Sequence, residues 1–152
     1  MLKSYKLVVG LILVSTITVI LVLNRSNHSS EVPKIIQIGN NKYSIEIANT
    51  EKSRSLGLSG RTSINKNQGM LFVFPSPSNY LFWMKEMNFP LDFVWIDGDK
   101  VVDVTQNVPK QANSDLNSLT TFTAKSPFDK VVELYAGTVE ADNIKIGDII
   151  KL

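Results

Sequence analysis

The charged residues that could do chemistry in this chain lie in or near one unusually aromatic segment. Lys85 and Asp92 fall inside the stretch from Gly69 to Asp97, and Arg54 and Arg61 precede it. A carboxylate held near an aromatic wall can act as a general base, and neighbouring cations can stabilise developing negative charge. Asp92 and Lys85 are therefore the candidate catalytic residues.

A second carboxylate, Glu86 or Glu133, would complete an acid and base pair of the glycosidase type. Each of the candidate residues also has a structural interpretation. Asp92 could instead accept backbone hydrogen bonds where a strand begins. The two arginines could clamp a carboxylate or phosphate, or each could pair with an acid such as Glu86, Asp92 or Glu133. No spacing is diagnostic of one reaction, so both interpretations stay open.

Scarce residue types exclude several kinds of site. The chain has no cysteine, so disulfides, thiolate nucleophiles and cysteine metal sites are impossible. Its one histidine, His28, lies in a polar linker with nothing rigid to orient it. Asp97 and Asp99 lack the spacing of a calcium loop, and no glycine-rich phosphate loop follows a strand. We therefore expect neither a metal site nor a cofactor.

The charge balance argues against nucleic-acid binding. The whole chain carries a formal charge of +2, but its first 34 residues hold four of the 16 basic residues and one of the 14 acidic ones. The remaining residues therefore have 12 bases against 13 acids. A domain with that balance lacks the basic surface that nucleic acid requires.

The N-terminal segment has the pattern of a membrane anchor. Its apolar run is just long enough for a transmembrane helix, and Lys3 and Lys6 precede it. We interpret the chain as four parts: a cytoplasmic tip (1–6), a transmembrane anchor (7–23), a linker (24–34) and an extracytoplasmic domain (35–152). Secretion after signal-peptide cleavage is the alternative, although the run is not followed by a typical small-residue cleavage site.

Turn residues divide the rest of the chain into short strands. Three aromatic or branched runs are bounded by such residues: Met70–Phe74, Leu81–Met84 and Phe93–Ile96. This pattern favours antiparallel strands over helices. Thr50 predicts the N-cap of a short helix that ends at Gly57. The turn at Asp97-Gly98-Asp99 predicts a hairpin with a returning strand at Val101–Thr105, and the polar residues 106–118 predict a loop. We expect a mainly β domain, a small antiparallel barrel-like or clip-like sheet with one or two short helices.

Trp83 and Lys85 are predicted to lie side by side. Side chains alternate along an extended segment, so these two would share one face. The predicted ligand site comprises five residues: Arg54, Arg61, Trp83, Lys85 and Asp92. An aromatic ring beside cations would suit a small anionic or sugar-like ligand, or a partner protein.

Three motifs give the sequence a family resemblance. They are GMLFVF from Gly69, FWMK from Phe82, and PLD from Pro90 followed by an apolar strand. Together with Arg54 and Arg61 they resemble the domain of unknown function 192 family, over nearly all of the chain after residue 35. The resemblance implies a compact, mostly β domain, often behind an export signal or membrane anchor, and it implies no particular reaction.

Three functions are consistent with these patterns. The first is a membrane-anchored extracytoplasmic binding or accessory domain, as the resemblance implies. The second is a carboxylate-dependent hydrolase that uses the same pocket. The third is a structural or interaction module that needs no pocket.

Overall fold

The computed structural model describes residues 34–111 and 119–152, and these contain seven strands and two short helices. The strands are β1 (Lys34–Ile38), β2 (Asn41–Ala48), β3 (Gln68–Ser78), β4 (Leu91–Asp97), β5 (Lys100–Val108), β6 (Phe128–Tyr135) and β7 (Ile150–Lys151). The helices are α1 (Glu51–Leu56) and α2 (Thr138–Ala141). The mainly β domain with short helices is confirmed.

Local sequence signals account for several of these elements. Thr50 caps α1 in a reciprocal capping box with Ser53, and the helix ends at Gly57, whose φ is +52°. The turn at Gly98, with φ of +62°, joins β4 to β5 in the predicted hairpin. Both features follow from residues that are close together in the sequence.

One pair of strands contradicts the expectation of a purely antiparallel sheet. The strand order is β5-β4-β6-β3-β2-β1-β7, and β2 pairs with β3 in parallel, with Ile45 opposite Gly69. Parallel neighbours require a crossover connection, and α1 with the segment that follows it provides one. Gly69 leaves no room for a side chain between β3 and β6, because an added Cβ would lie 2.3 Å from the Glu133 carbonyl oxygen.

The sheet curls until its two edge strands meet at one end. Val101 donates a backbone hydrogen bond to Asp148 (2.9 Å), and Ile150 donates one to Asp99 (2.8 Å). Buried apolar residues on the concave face come from all seven strands and α2: Ile36, Ile38, Tyr43, Ile45, Leu71, Val94, Ile96, Val101, Val132, Leu134, Val139 and Ile150. A half-barrel with one apolar interior results.

The other face, called here the aromatic face, is covered by α1 and by loops. Its core includes Phe72, Phe93, Trp95 and Phe128. The predicted strand Leu81–Met84 is wrong, because this segment forms only a single bridge between Phe82 and Phe122. It runs across the sheet rather than within it.

Two predicted regions lie outside the described residues. The predicted tip, the anchor at 7–23 and the linker up to residue 33 precede them, whereas Lys34, the last predicted linker residue, begins β1. Residues 112–118 of the predicted 106–118 loop interrupt them. Within the two described ranges, no helix combines the length and apolar character needed to cross a membrane. The first part of the predicted loop is strand, since β5 continues to Val108.

Candidate functional site

A cavity of about 220 Å³ opens between α1, β3 and the segment around residue 82. We call it the aromatic cleft. Five aromatic residues contribute to its walls: Phe72, Phe74, Tyr80, Phe82 and Trp83. Leu56, Leu81 and Trp83 at its mouth remain 49%, 58% and 41% exposed. A concave site with apolar walls and few polar groups is the usual form of a small-molecule site.

Glu133 is the buried polar group of the aromatic cleft. It lies on β6 opposite Met70 of β3 and Phe93 of β4, on the aromatic face, and it is only 6% exposed. No residue in the described part of the chain donates a hydrogen bond to its carboxyl group. Burial raises the pKa of Glu133 to about 8, against a smaller opposing effect of the Arg61 charge.

Arg61 is held by an acid that the sequence analysis did not name. Its two terminal nitrogens meet both carboxylate oxygens of Glu46, at 2.5 and 2.7 Å. This bidentate pair raises the pKa of Arg61, which stays positively charged. Arg61 and Glu46 do not line the aromatic cleft; they line a second cleft, together with Ser44 and Gln68.

Arg54 links α1 to β3 through hydrogen bonds to backbone carbonyl groups. Its Nη1 donates to the carbonyl oxygens of Asn49 (2.8 Å) and Val73 (2.9 Å). Its guanidinium carbon lies 5.1 Å from the ring centroid of Phe74. Arg54 lines the aromatic cleft and has no carboxylate partner among the described residues.

Asp92 lies apart from the aromatic cleft. It is fully buried, and alternation along β4 places it on the concave face, opposite to Phe93. Its carboxylate accepts backbone N–H bonds from Asn107 (2.7 Å) and Val139 (2.9 Å). Asn107 has a φ of +55° and Val139 lies in the first turn of α2, so Asp92 fixes two irregular segments.

The five predicted site residues are thus not brought together. Arg54 and Trp83 line the aromatic cleft, and Arg61 lies in the adjoining one. Lys85 lies outside both and approaches Glu86 at 3.6 Å on the surface. Glu133, considered only as a second carboxylate, occupies the most buried polar position of the cleft.

A sequence signal could have singled out Glu133. It follows Val131 and Val132 and precedes Leu134, in a strand whose two faces are both apolar. An acid within such a run must be buried on one face or the other. The position of the cleft itself could not be predicted for another reason. The crossover packs α1 against β3, and the residues that meet there, such as Arg54 and Val73, are 19 positions apart in the sequence.

Comparisons with known proteins place the chain in a family. The DUF192 family, described as "Uncharacterized ACR", matches residues 34–152. Two crystal structures resemble the fold. One is a proposed transcription regulator from Sinorhizobium meliloti 1021, with a TM-score of 0.71 and 22% identity, covering 81% of this chain and 97% of that one. The other is a protein of unknown function from Novosphingobium aromaticivorans DSM 12444, with a TM-score of 0.72 and 23% identity, covering 83% and 90%.

None of the curated proteins compared with the chain matches it. At 22% and 23% identity the two structural relatives establish the fold and not a function. The family match covers every strand and helix described above, from β1 to β7. The chain belongs to the DUF192 family.

Proposed function

We propose that this domain is a binding module that holds a small, partly apolar ligand in the aromatic cleft. The observation that carries the proposal is the Glu133 carboxyl group, buried among aromatic side chains without a hydrogen-bond donor from the described chain. Enclosing an acid among apolar side chains desolvates its charged form, a cost that a leucine there would avoid. The acid is therefore better explained by a ligand that it binds.

The mouth of the aromatic cleft supports the same proposal. Leu56, Leu81 and Trp83 come from two different segments and leave apolar surface in water around one opening. Scattered apolar residues on a surface need no explanation, but a group that rims a cavity is typical of a binding site. A ligand that covers this rim would remove their apolar surface from water.

The membrane-anchored, extracytoplasmic placement remains part of this proposal. It rests on the apolar run at 7–23 and the lysines before it, together with what is usual for the family resemblance. In that arrangement the cleft would bind ligands present outside the cytoplasm.

Trp83 offers a direct test of binding. It is 41% exposed at the cleft mouth, whereas Trp95 is fully buried and donates to Thr105 Oγ1 at 2.9 Å. Acrylamide should therefore quench Trp83 selectively. We expect at least one of three soluble phenyl compounds (2-phenylethanol, phenethylamine and 3-phenylpropionate) to protect Trp83 from quenching in a saturable manner.

Two variants of α1 control this experiment. Ser55 lines the aromatic cleft and Lys52 does not, although both are exposed on the same helix. Ser55→Phe should weaken protection severalfold by occupying the cleft, while Lys52→Phe should leave it unchanged. Absence of protection by all three compounds, or equal effects of the two variants, would contradict binding in the cleft.

A further inference from the structure

We propose that the ligand of the aromatic cleft is an organic ammonium compound, a positively charged amine on an apolar or aromatic body, with the Glu133 carboxylate as the partner of its charge. This inference rests on the proposed function, because it names the chemical class that the same cleft selects.

Among the described residues around the cleft, acids outnumber bases by one when Glu133 is ionised. On α1, Glu51 and Arg54 both line the cleft and have opposite charges. Arg61 is paired with Glu46 through two hydrogen bonds. An ionised Glu133 therefore gives its surroundings a net charge of −1, which a ligand of charge +1 would neutralise.

The walls also favour a cation over an anion. The faces of aromatic rings carry negative partial charge, so they attract ammonium and guanidinium groups. Arg54 already makes such a contact, since its guanidinium carbon lies 5.1 Å from the centroid of the Phe74 ring. Tyr80 stacks on the same phenylalanine, with the two ring centroids 3.9 Å apart. A ligand carboxylate would be attracted by Arg54, but it would also meet the aromatic ring faces and the Glu133 carboxylate, both unfavourable to it.

The protonation of Glu133 makes this binding depend on pH. Five groups with charges or titratable protons flank it: Glu46 on β2, Arg61 on the loop after α1, Glu51 and Arg54 on α1, and Tyr80. With a pKa of about 8, the carboxyl group is mostly protonated at pH 7. An ammonium ligand selects the ionised form, so binding releases a proton. Affinity should therefore rise with pH and level off above about pH 8.

The test compares three phenyl compounds of similar size on the full chain, by isothermal titration calorimetry between pH 6 and pH 8.5. At pH 8, phenethylamine should bind about tenfold or more tightly than 2-phenylethanol, and 3-phenylpropionate should bind no better than the alcohol. The affinity for phenethylamine should fall about fivefold from pH 8 to pH 7 and about tenfold from pH 7 to pH 6. The amine itself stays protonated throughout, since alkyl amines titrate near pH 10.

Two variants separate Glu133 from general electrostatics. Glu133→Gln should bring the affinity for phenethylamine down to that of 2-phenylethanol and remove its pH dependence. Glu86→Gln removes an exposed acid that lines neither cleft and should change the affinity for the amine by less than about threefold.

Each other result has a definite meaning. Equal binding of amine and alcohol by the wild-type protein, or tighter binding of the carboxylate, would overturn the ammonium proposal while leaving the binding module intact. An amine preference that is independent of pH and survives in Glu133→Gln would overturn the role of Glu133. If none of the compounds binds, the proposed function fails as well.

Discussion

Asp92→Asn is expected to destabilise the domain by about 2–4 kcal/mol, the larger of the two main mutational effects. The carboxylate of Asp92 accepts two backbone N–H groups, from Asn107 and Val139, in a fully buried position. An asparagine amide has one oxygen, so its NH₂ group would face one of these N–H donors. One hydrogen bond is lost, and two donors are buried against each other.

Urea denaturation at pH 7, followed by circular dichroism, would measure this effect. Asp97→Asn provides the control, because Asp97 lies at the exposed end of the same strand and should change stability by less than about 0.5 kcal/mol. If Asp92→Asn keeps the wild-type stability but loses binding of the phenyl compounds, Asp92 is a site residue after all. That result would restore the sequence-based assignment and contradict its structural role.

Glu133→Gln is expected to stabilise the domain at pH 8.5 and to have little effect at pH 5. The pKa of Glu133 is raised from 4.5 to about 8 in the folded protein. Between these values the folded chain keeps a proton that the unfolded chain has lost, so the wild-type protein becomes less stable as pH rises. The full shift corresponds to at most about 5 kcal/mol, and an opening to water reduces the expected gain to about 2–3 kcal/mol.

Denaturation curves at pH 5, 7 and 8.5 would test this prediction. The stability difference between Glu133→Gln and wild type should grow across this range and then level off. Glu51→Gln changes an exposed acid of the same cleft and should follow the wild-type profile. Parallel pH profiles for Glu133→Gln and wild type would show that Glu133 is ionised normally, and its burial would then have another explanation.

Local signals in the sequence predict much of this fold. The hairpin at Gly98 and the helix capped by Thr50 each depend on a few adjacent residues, and both are confirmed. The parallel pairing of β2 with β3 could not be predicted in this way. It depends on how the connection of about 20 residues crosses the sheet, and strand patterns alone do not specify that path.

The candidate site, like the fold, was predicted from the sequence only in part. Trp83 was predicted as a binding residue because its ring was expected beside Lys85 on one face of an extended segment, and the structure places it at the mouth of the aromatic cleft. Asp92 and Lys85 were grouped with it by nearness along the chain. In the fold Asp92 points to the concave face, and Lys85 lies at the surface beside Glu86. Glu133 joins the site through strand pairing, which brings it next to residues 40 to 63 positions earlier in the chain.

The titration of the Glu133 side chain tests the central claim most directly. With selectively ¹³C-labelled glutamate and the Glu133→Gln variant for assignment, nuclear magnetic resonance would follow its carboxyl carbon from pH 4 to pH 9.5. We expect a pKa near 8 in the free protein, and a decrease of at least about one unit when phenethylamine saturates the cleft. A pKa near 4.5 in the free protein, or a raised pKa that saturating phenethylamine leaves unchanged, would contradict the assignment of Glu133 as the charge partner of a bound ammonium group.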